Sequence, residues 1–206
     1  MKIVYLLDSI CVLGGVEQIT ITKANALANI NNNIIYIIVA EHRGTPFMEV
    51  NSKVNVINLN IQYYRDKGDS KLQGYKILLE ERHKHKNKLS KILNEIAPDI
   101  VISTGKSEQY IITSINIKSN PILIREFHES KLFWDIVSKT LFEKIYNKIR
   151  HFYQKHFILN KFDKLIILNE EEKKYWKYTK KLCVIPNPTN VNHPFISNVK
   201  TKSLLL

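Results

Sequence analysis

Two cysteines, Cys11 and Cys183, are all that the 206 residues contain, and they stand far apart. A disulfide framework is therefore excluded, no metal-ligand spacing is present, and a reducing cytosol is the simplest setting. Glycine and proline number six each, too few for a fibrous or low-complexity chain. No stretch approaches the roughly 20 apolar residues of a spanning helix. Met1-Lys-Ile-Val enters a strand-like run at once, without the basic, apolar and cleavage regions of a signal peptide. Acidic residues are scarce: 19 Asp and Glu against 31 Lys and Arg give a formal charge of +12. Such an excess favours phosphate-bearing partners, whether nucleic acid, an anionic membrane face or nucleotide-linked substrates. Codon bias towards Lys, Asn and Ile is the competing account of it.

What is present is a packed-core composition, 44% hydrophobic, laid out as alternating strand-like and helix-like segments. Continuous apolar runs at Lys2–Leu7 and Ile34–Ala40 read as strands covered on both faces. Val54–Leu59, Asp99–Ser103, Pro121–Arg125, Lys164–Leu168 and Leu182–Ile185 supply further strands. Helical spacing follows Gly15, where Val16, Ile19, Ala24, Leu27 and Ile30 recur at steps of three and four. It returns over Tyr75–Ile96, Ser107–Ile117, Leu132–Leu159 and Glu170–Tyr178. The alternation predicts an α/β domain, with an open, mostly parallel, Rossmann-like sheet and helices on both faces. Ligands of such sheets bind outside the carboxyl ends of the strands, which points to the loops after Leu7, Ser103, Arg125 and Ile185. The domain is expected over residues 1–189. Residues 190–206 read as a connector and the opening of a truncated second domain.

Four features can carry chemistry. Gly14-Gly15 lies between the first strand and a helix N-terminus, where backbone can approach a phosphate and first-turn N–H groups face it. A plain tight turn is the competing reading. Glu17, in the first helical turn, complements the helix dipole. Ser103-Thr-Gly-Lys106 offers hydroxyls and a cation beside a cleft but lacks the P-loop spacing, which disfavours a nucleotide triphosphatase. Arg125-Glu-Phe-His-Glu129 follows another strand. There Arg125 can bind an anion or hold Glu126 or Glu129, and His128 can donate to a sugar hydroxyl or phosphate or act as acid or base.

The fourth feature is the segment 131–160, where cations interleave with aromatics. Phe133, Val137, Leu141, Ile145, Ile149 and Phe152 form one helical stripe, expected to face the core. The remaining aromatics, with Lys144, Lys148, Arg150 and Lys155, suit an anionic bilayer surface. Nucleic acid is disfavoured because no recognisable binding module is present. Arg82–Lys91, containing His83 and His85 on different helix faces, is expected to be a solvated basic surface.

Taken in order, these segments resemble the N-terminal half of the family 4 glycosyltransferases, retaining enzymes built from two Rossmann-like domains (the GT-B type). The resemblance covers nearly the whole chain. It rests on Met1-Lys-Ile-Val, Gly14-Gly15-Val-Glu17, Pro98-Asp-Ile-Val-Ile-Ser103, His128 after its strand, Lys161-Phe-Asp-Lys-Leu-Ile-Ile-Leu168 followed by Asn169-Glu-Glu-Glu172, and Val184-Ile-Pro-Asn-Pro188. It implies retaining transfer of a sugar from a nucleotide-sugar donor to a glycan or lipid-linked acceptor in surface polysaccharide biosynthesis. The setting would be cytoplasmic, peripheral to the inner face of the cell membrane.

The resemblance also assigns roles. Gly14 and Gly15 approach the donor diphosphate, and His128 touches the donor sugar as the catalytic residue. Glu17, Ser103, Thr104, Lys106 and Arg125 face the acceptor cleft, and Asn187 is a hinge. No cofactor is implied, since the nucleotide-sugar is a substrate. No metal is implied either: an Asp-x-Asp site is lacking, and helix N-termini with basic side chains neutralise the diphosphate. The family's donor-binding half, with its Glu-x7-Glu motif, is not encoded in these residues. They are expected to fold as the acceptor half with little or no turnover. The alternative is a non-catalytic Rossmann-like module binding a glycan or a membrane. A nicotinamide-dependent oxidoreductase is disfavoured by the missing Gly-x-Gly-x-x-Gly fingerprint.

Overall fold

The two continuous apolar runs become adjacent inner strands of a parallel sheet. The computed structural model describes residues 1–30, 32–41, 44–63, 71–105, 108–130, 140–176 and 181–188. Its strands are β1 (Lys2–Leu7), β2 (Ile34–Val39), β3 (Val54–Asn58), β4 (Ile100–Ser103), β5 (Ile122–Glu126), β6 (Lys164–Ile167) and β7 (Leu182–Val184). They lie in the order β3-β2-β1-β4-β5-β6-β7, with every neighbouring pair parallel. The order reverses between β1 and β4, and an open α/β sheet binds its ligands at such a switch point. The expected Rossmann-like α/β architecture is the one observed.

The sheet is covered on both faces, as the unbroken apolar runs require. From β1, Ile3, Tyr5 and Leu7 pack against Ile21, Ala24 and Ala28 of α1 (Gly15–Ala28). Val4 and Leu6 point the other way, into a cluster with Leu89, Leu93 and Ile96 of α2 (Lys71–Ile96) and with Phe162. Each fully buried Ile or Leu is worth about 1.5–3 kcal/mol, so this central strand anchors both layers.

The two ends of the sheet are built differently. At the amino ends the connections are tight. Asn32, Ala97 and Asn120 take left-handed φ values of 70°, 50° and 50° just before β2, β4 and β5. Asp99 Oδ2 accepts the Lys2 N–H at 2.7 Å, and Asp163 Oδ2 accepts the Leu123 N–H at 2.8 Å. The carboxyl ends carry the longer loops and the buried charges.

Several helices depart from their expected bounds. The expected helix Ser107–Ile117 is reduced to α3 (Glu108–Ile112). Thr113 Oγ1 bonds back to the Gln109 carbonyl at 2.7 Å, and Ser114 Oγ to that of Ile111 at 2.7 Å, competing locally with helix propagation among β-branched neighbours. The expected long helix Leu132–Leu159 is three pieces among the described residues. α4 (Leu141–Tyr153) starts at a capping box formed by Thr140 and Glu143. A π-helical turn (Gln154–Ile158) and a 3-10 turn (Leu159–Lys161) follow. The segment after β6 is a 3-10 helix over Glu171–Trp176. Residues 190–206 lie outside the described residues.

The largest correction concerns the apolar stripe. Leu141, Ile145, Ile149 and Phe152 are exposed, whereas Asn147 is buried. Phe133 and Val137 lie outside the described residues. α4 meets the domain through its polar side, which carries the buried Asn147 and lines a cavity described next.

Candidate active site

The loop after β1 leads into Gly14, which caps α1 in an extended conformation (φ −141°). Gln18 N–H is the first to bond back, to the Gly14 carbonyl at 3.0 Å, so the N–H groups ahead of it are open to an anion. A Cβ at Gly14 would collide with the Glu17 carboxylate, which folds back over the glycine. Gly15, by contrast, faces open space. A side chain at Gly14 would only displace the flexible end of Glu17, and its extended φ suits any residue, so the backbone itself demands a glycine at neither position.

Across the switch point the same device recurs. The carboxyl of Glu108 lies where a Cβ of Gly105 would be. Both pairs have the spacing Gly-x-x-Glu at a helix start, Gly14 with Glu17 and Gly105 with Glu108. Glu108 is only 2% exposed. Burial first, then the neighbouring Asp8 carboxylate, hold its pKa well above the usual carboxylate range. Sequence reading missed Asp8 and Glu108; the repeated Gly-x-x-Glu spacing was the available signal.

Arg125 is the penultimate residue of β5, with its side chain turned inward. Nη1 donates to the Ser103 carbonyl at 3.0 Å, to Ser103 Oγ at 3.1 Å and to the Gly105 carbonyl at 2.6 Å. Its guanidinium lies 5.1 Å from the centre of the Phe127 ring. Burial pushes its pKa down to about 10, against the pull of Glu108 and Asp8. Thr104 Oγ1 donates to the Leu6 carbonyl at 2.8 Å. Arg125, Ser103 and Thr104 are thus brought together, but by bonds to one another and to backbone that hold the loop after β4. Lys106 lies outside the described residues. Asn187 follows β7, half-buried and away from the cavity.

Glu126 is held by other groups than Arg125. Lys23 of α1 donates to its two oxygens at 3.2 and 3.1 Å, and His128 Nε2 stands 3.3 Å from Oε2. Burial alone would raise the carboxyl's pKa; the His128 contact and the Lys23 charge outweigh it, and the net shift is downward. The His128 side chain is 4% exposed. Its ring nitrogens make no well-aligned hydrogen bond, so the Glu126 contact is a close approach and not a directed bond.

His128 opens onto a cavity of about 370 Å³ at this end of the sheet. Val16 at the start of α1, Gln109 of α3, and Arg150 and His151 of α4 also line it. Gln154 closes one side, donating to Gln109 Oε1 at 2.9 Å. Phe127 and Trp176, 4.4 Å apart at their ring centres, supply an aromatic floor. Among the described residues, Arg82, Arg125 and Arg150 line the walls, against Glu129 as the one carboxylate. The walls therefore carry net positive charge, which suits an anionic ligand. Among the described residues no group of three or more His, Cys, Asp or Glu side chains could hold a metal ion.

Beside this site, His85 departs from the expected solvated surface. His83 is exposed, but His85 is 1% exposed, with Nδ1 2.9 Å from the Tyr63 hydroxyl. Burial lowers its pKa from 6.5 to about 4, with Asp8 opposing. A depressed histidine contributes stability that is present above its unfolded pKa and lost as pH falls through the folded value. Acidification from pH 6.5 towards 4 is thus expected to cost the wild type up to about 3 kcal/mol from this group. His85→Phe should be less stable at pH 7 yet lose less between pH 6.5 and 4. Urea midpoints at the two pH values measure this, and parallel losses would show that another group dominates.

No protein-family model matches the chain, and no curated protein matches it by sequence. The fold does match solved glycosyltransferases of the GT-B type. Against sucrose-phosphate synthase from Thermosynechococcus elongatus the TM-score is 0.65 at 12% identity, over 93% of this chain and 49% of that one. A shorter form of the same enzyme gives 0.55 at 12% identity, covering 92% of this chain and 91% of that one. The lipopolysaccharide outer core galactosyltransferase WaaB, in its apo form, gives 0.57 at 16% identity over 93% and 47%. This chain spans about half the length of the two longer neighbours. Its seven-stranded parallel sheet with helices matches the Rossmann-like α/β fold of GT-B glycosyltransferase halves.

Proposed function

We propose that this chain is the acceptor-side half of a family 4 glycosyltransferase, moving a sugar from a nucleotide-sugar donor to a glycan or lipid-linked acceptor with retention. Surface polysaccharide biosynthesis is the pathway this reading favours. The observation that carries it is the cationic cavity at the switch point, with the open end of α1 on one side and His128 on the other. In this reading the donor diphosphate approaches Gly15, where no side chain intervenes. The first-turn N–H groups of α1 and the wall arginines offset the charge that grows on the leaving diphosphate. His128 donates to the donor sugar or the departing oxygen, with Glu126 Oε2 3.3 Å from its Nε2 on the inner side. Glu17 reaches the same helix end and is a competitor for it until donor arrives.

Calorimetric titration with nucleoside diphosphates and their sugar conjugates tests this. Binding of one nucleotide class is expected, with His128→Ala weakening the sugar conjugate about tenfold at unchanged Tm. An acceptor-side half supplies only part of a donor site, so weak binding suffices, and a sugar conjugate bound equally by the wild type and His128→Ala would overturn the reading. The second reading, a non-catalytic module, is favoured by the internal engagement of Arg125, Ser103 and Thr104. It calls for glycan binding that ignores both nucleotide and His128→Ala.

A further inference from the structure

Lys23, Glu126 and His128 form a chain of polar groups sunk between α1 and the end of β5. Lys23 Nζ lies 3.2 and 3.1 Å from the two Glu126 oxygens, and Glu126 Oε2 lies 3.3 Å from His128 Nε2. The three side chains are 17%, 5% and 4% exposed. An ion pair taken this far out of water is a poor source of stability, because desolvation consumes most of the attraction. A well-packed apolar pair of similar volume would serve the fold equally.

What the pair does supply is orientation. The ammonium engages both carboxylate oxygens, which holds the Glu126 side chain in one place. Against burial, the His128 contact and the Lys23 charge shift the pKa of Glu126 downward. The carboxylate so kept accepts hydrogen bonds and cannot donate them. A bare Nε2 lone pair 3.3 Å from its oxygen would be repelled. Nε2 therefore carries the proton, however poorly the bond is aligned. Nδ1 remains, buried and without a hydrogen-bond partner among the described residues, on a side chain that lines the cavity.

We infer that Lys23 is a positioning residue for His128: acting through the Glu126 carboxylate, it holds the ring with Nε2–H inward and leaves Nδ1 to serve the ligand. Lys23 stands about two turns beyond Gly15, on the helix whose first-turn N–H groups are open to an anion. One rigid rod thus fixes both the anion end of the site and the histidine across it. That His128 meets a donor sugar rests on the glycosyltransferase reading; the placement of the ring by Lys23 does not. A purely structural tie between α1 and β5 makes the opposite demand, that any well-packed replacement restores the site.

A variant lacking both charges separates the two roles. Lys23→Met with Glu126→Met leaves no charge buried alone, so its Tm should stay within a few degrees of the wild type. Nitrogen NMR of the full chain labelled at histidine reads the ring, with the His128 signals identified by their loss in His128→Ala. At about pH 8, above the ordinary histidine range, the wild type should show one tautomer, protonated at Nε2. Lys23→Arg should keep it, and the double variant should show a mixture of the two tautomers. Calorimetry with UDP-glucose and GDP-mannose, each against its free nucleoside diphosphate, adds a functional readout. For the conjugate that binds, the double variant should lose about tenfold in affinity, as His128→Ala does, and Lys23→Arg should lose none. Affinity for the free diphosphate should not change. A wild-type ring protonated at Nδ1, or a double variant with the wild-type spectrum, would overturn the proposal. So would a double variant that binds the conjugate as the wild type does while His128→Ala does not. If neither conjugate distinguishes the wild type from His128→Ala, the glycosyltransferase reading falls and the spectra alone decide the positioning.

Discussion

Replacing Arg125 by methionine is expected to destabilise the domain by about 3–5 kcal/mol, the largest loss of any single side chain near the cavity. Methionine fills similar space but donates no hydrogen bond. The Ser103 and Gly105 carbonyls, which Arg125 now satisfies, would remain buried without their donor. Glu108 and its neighbour Asp8 would lose their nearby cation. Replacing a buried ion by an apolar group can be harmless when its partners go with it; backbone carbonyls cannot go. The depressed pKa of Arg125, about 10, records the desolvation that the fold already bears to keep it there. Urea unfolding at pH 7 measures the loss, and a change below about 1 kcal/mol would mean that water takes over all three bonds.

Lys23→Met should produce the second large effect, about 3 kcal/mol at pH 7. Lys23 reaches Glu126 from α1, and with it gone only the His128 contact opposes burial, so the carboxyl's pKa rises relative to the wild type. The sign can be followed with pH. In the wild type the depressed Glu126 contributes stability above its unfolded pKa and loses it as pH falls. In Lys23→Met the raised group costs most at neutral pH, and the deficit shrinks on acidification as the carboxyl protonates. Lys23→Met combined with Glu126→Gln should recover most of the loss, because the uncompensated charge has been removed. A double variant as unstable as the sum of its singles would assign the effect to packing by the lysine stem.

The sheet was legible in the sequence for a physical reason. Strands buried on both faces must be apolar at successive positions, so β1 and β2 stood out with nearly correct ends. Gly14-Gly15 was legible because a strand, a glycine turn and a helical period fall in order. Arg125 was found at the right edge of the sheet, but its direction was not readable: whether it faces ligand or carbonyl depends on Ser103 and Gly105, 22 and 20 residues away. His85 looked solvated because its sequence neighbours are cationic, and those neighbours lie on other faces of α2. The α4 stripe exposed the limit of periodicity most clearly. An amphipathic pattern says that one side differs from the other, yet only tertiary structure says which side meets the domain.

The contrast between the two ends of the sheet has a consequence for how such a domain can change. Its tight amino-end turns, with their left-handed residues and aspartate-held N–H groups, tolerate little. An insertion there would push a strand out of register with both neighbours. The loops at the other end leave strand pairing behind before they reach the cavity. They can lengthen, shorten or exchange residues while the layers beneath keep their packing. Substrate choice and fold integrity are thus inherited on separate margins of the same sheet, so drift in one leaves the other largely undisturbed. Arg125 is the stitch between them, the place where a change aimed at specificity would be felt as a loss of stability.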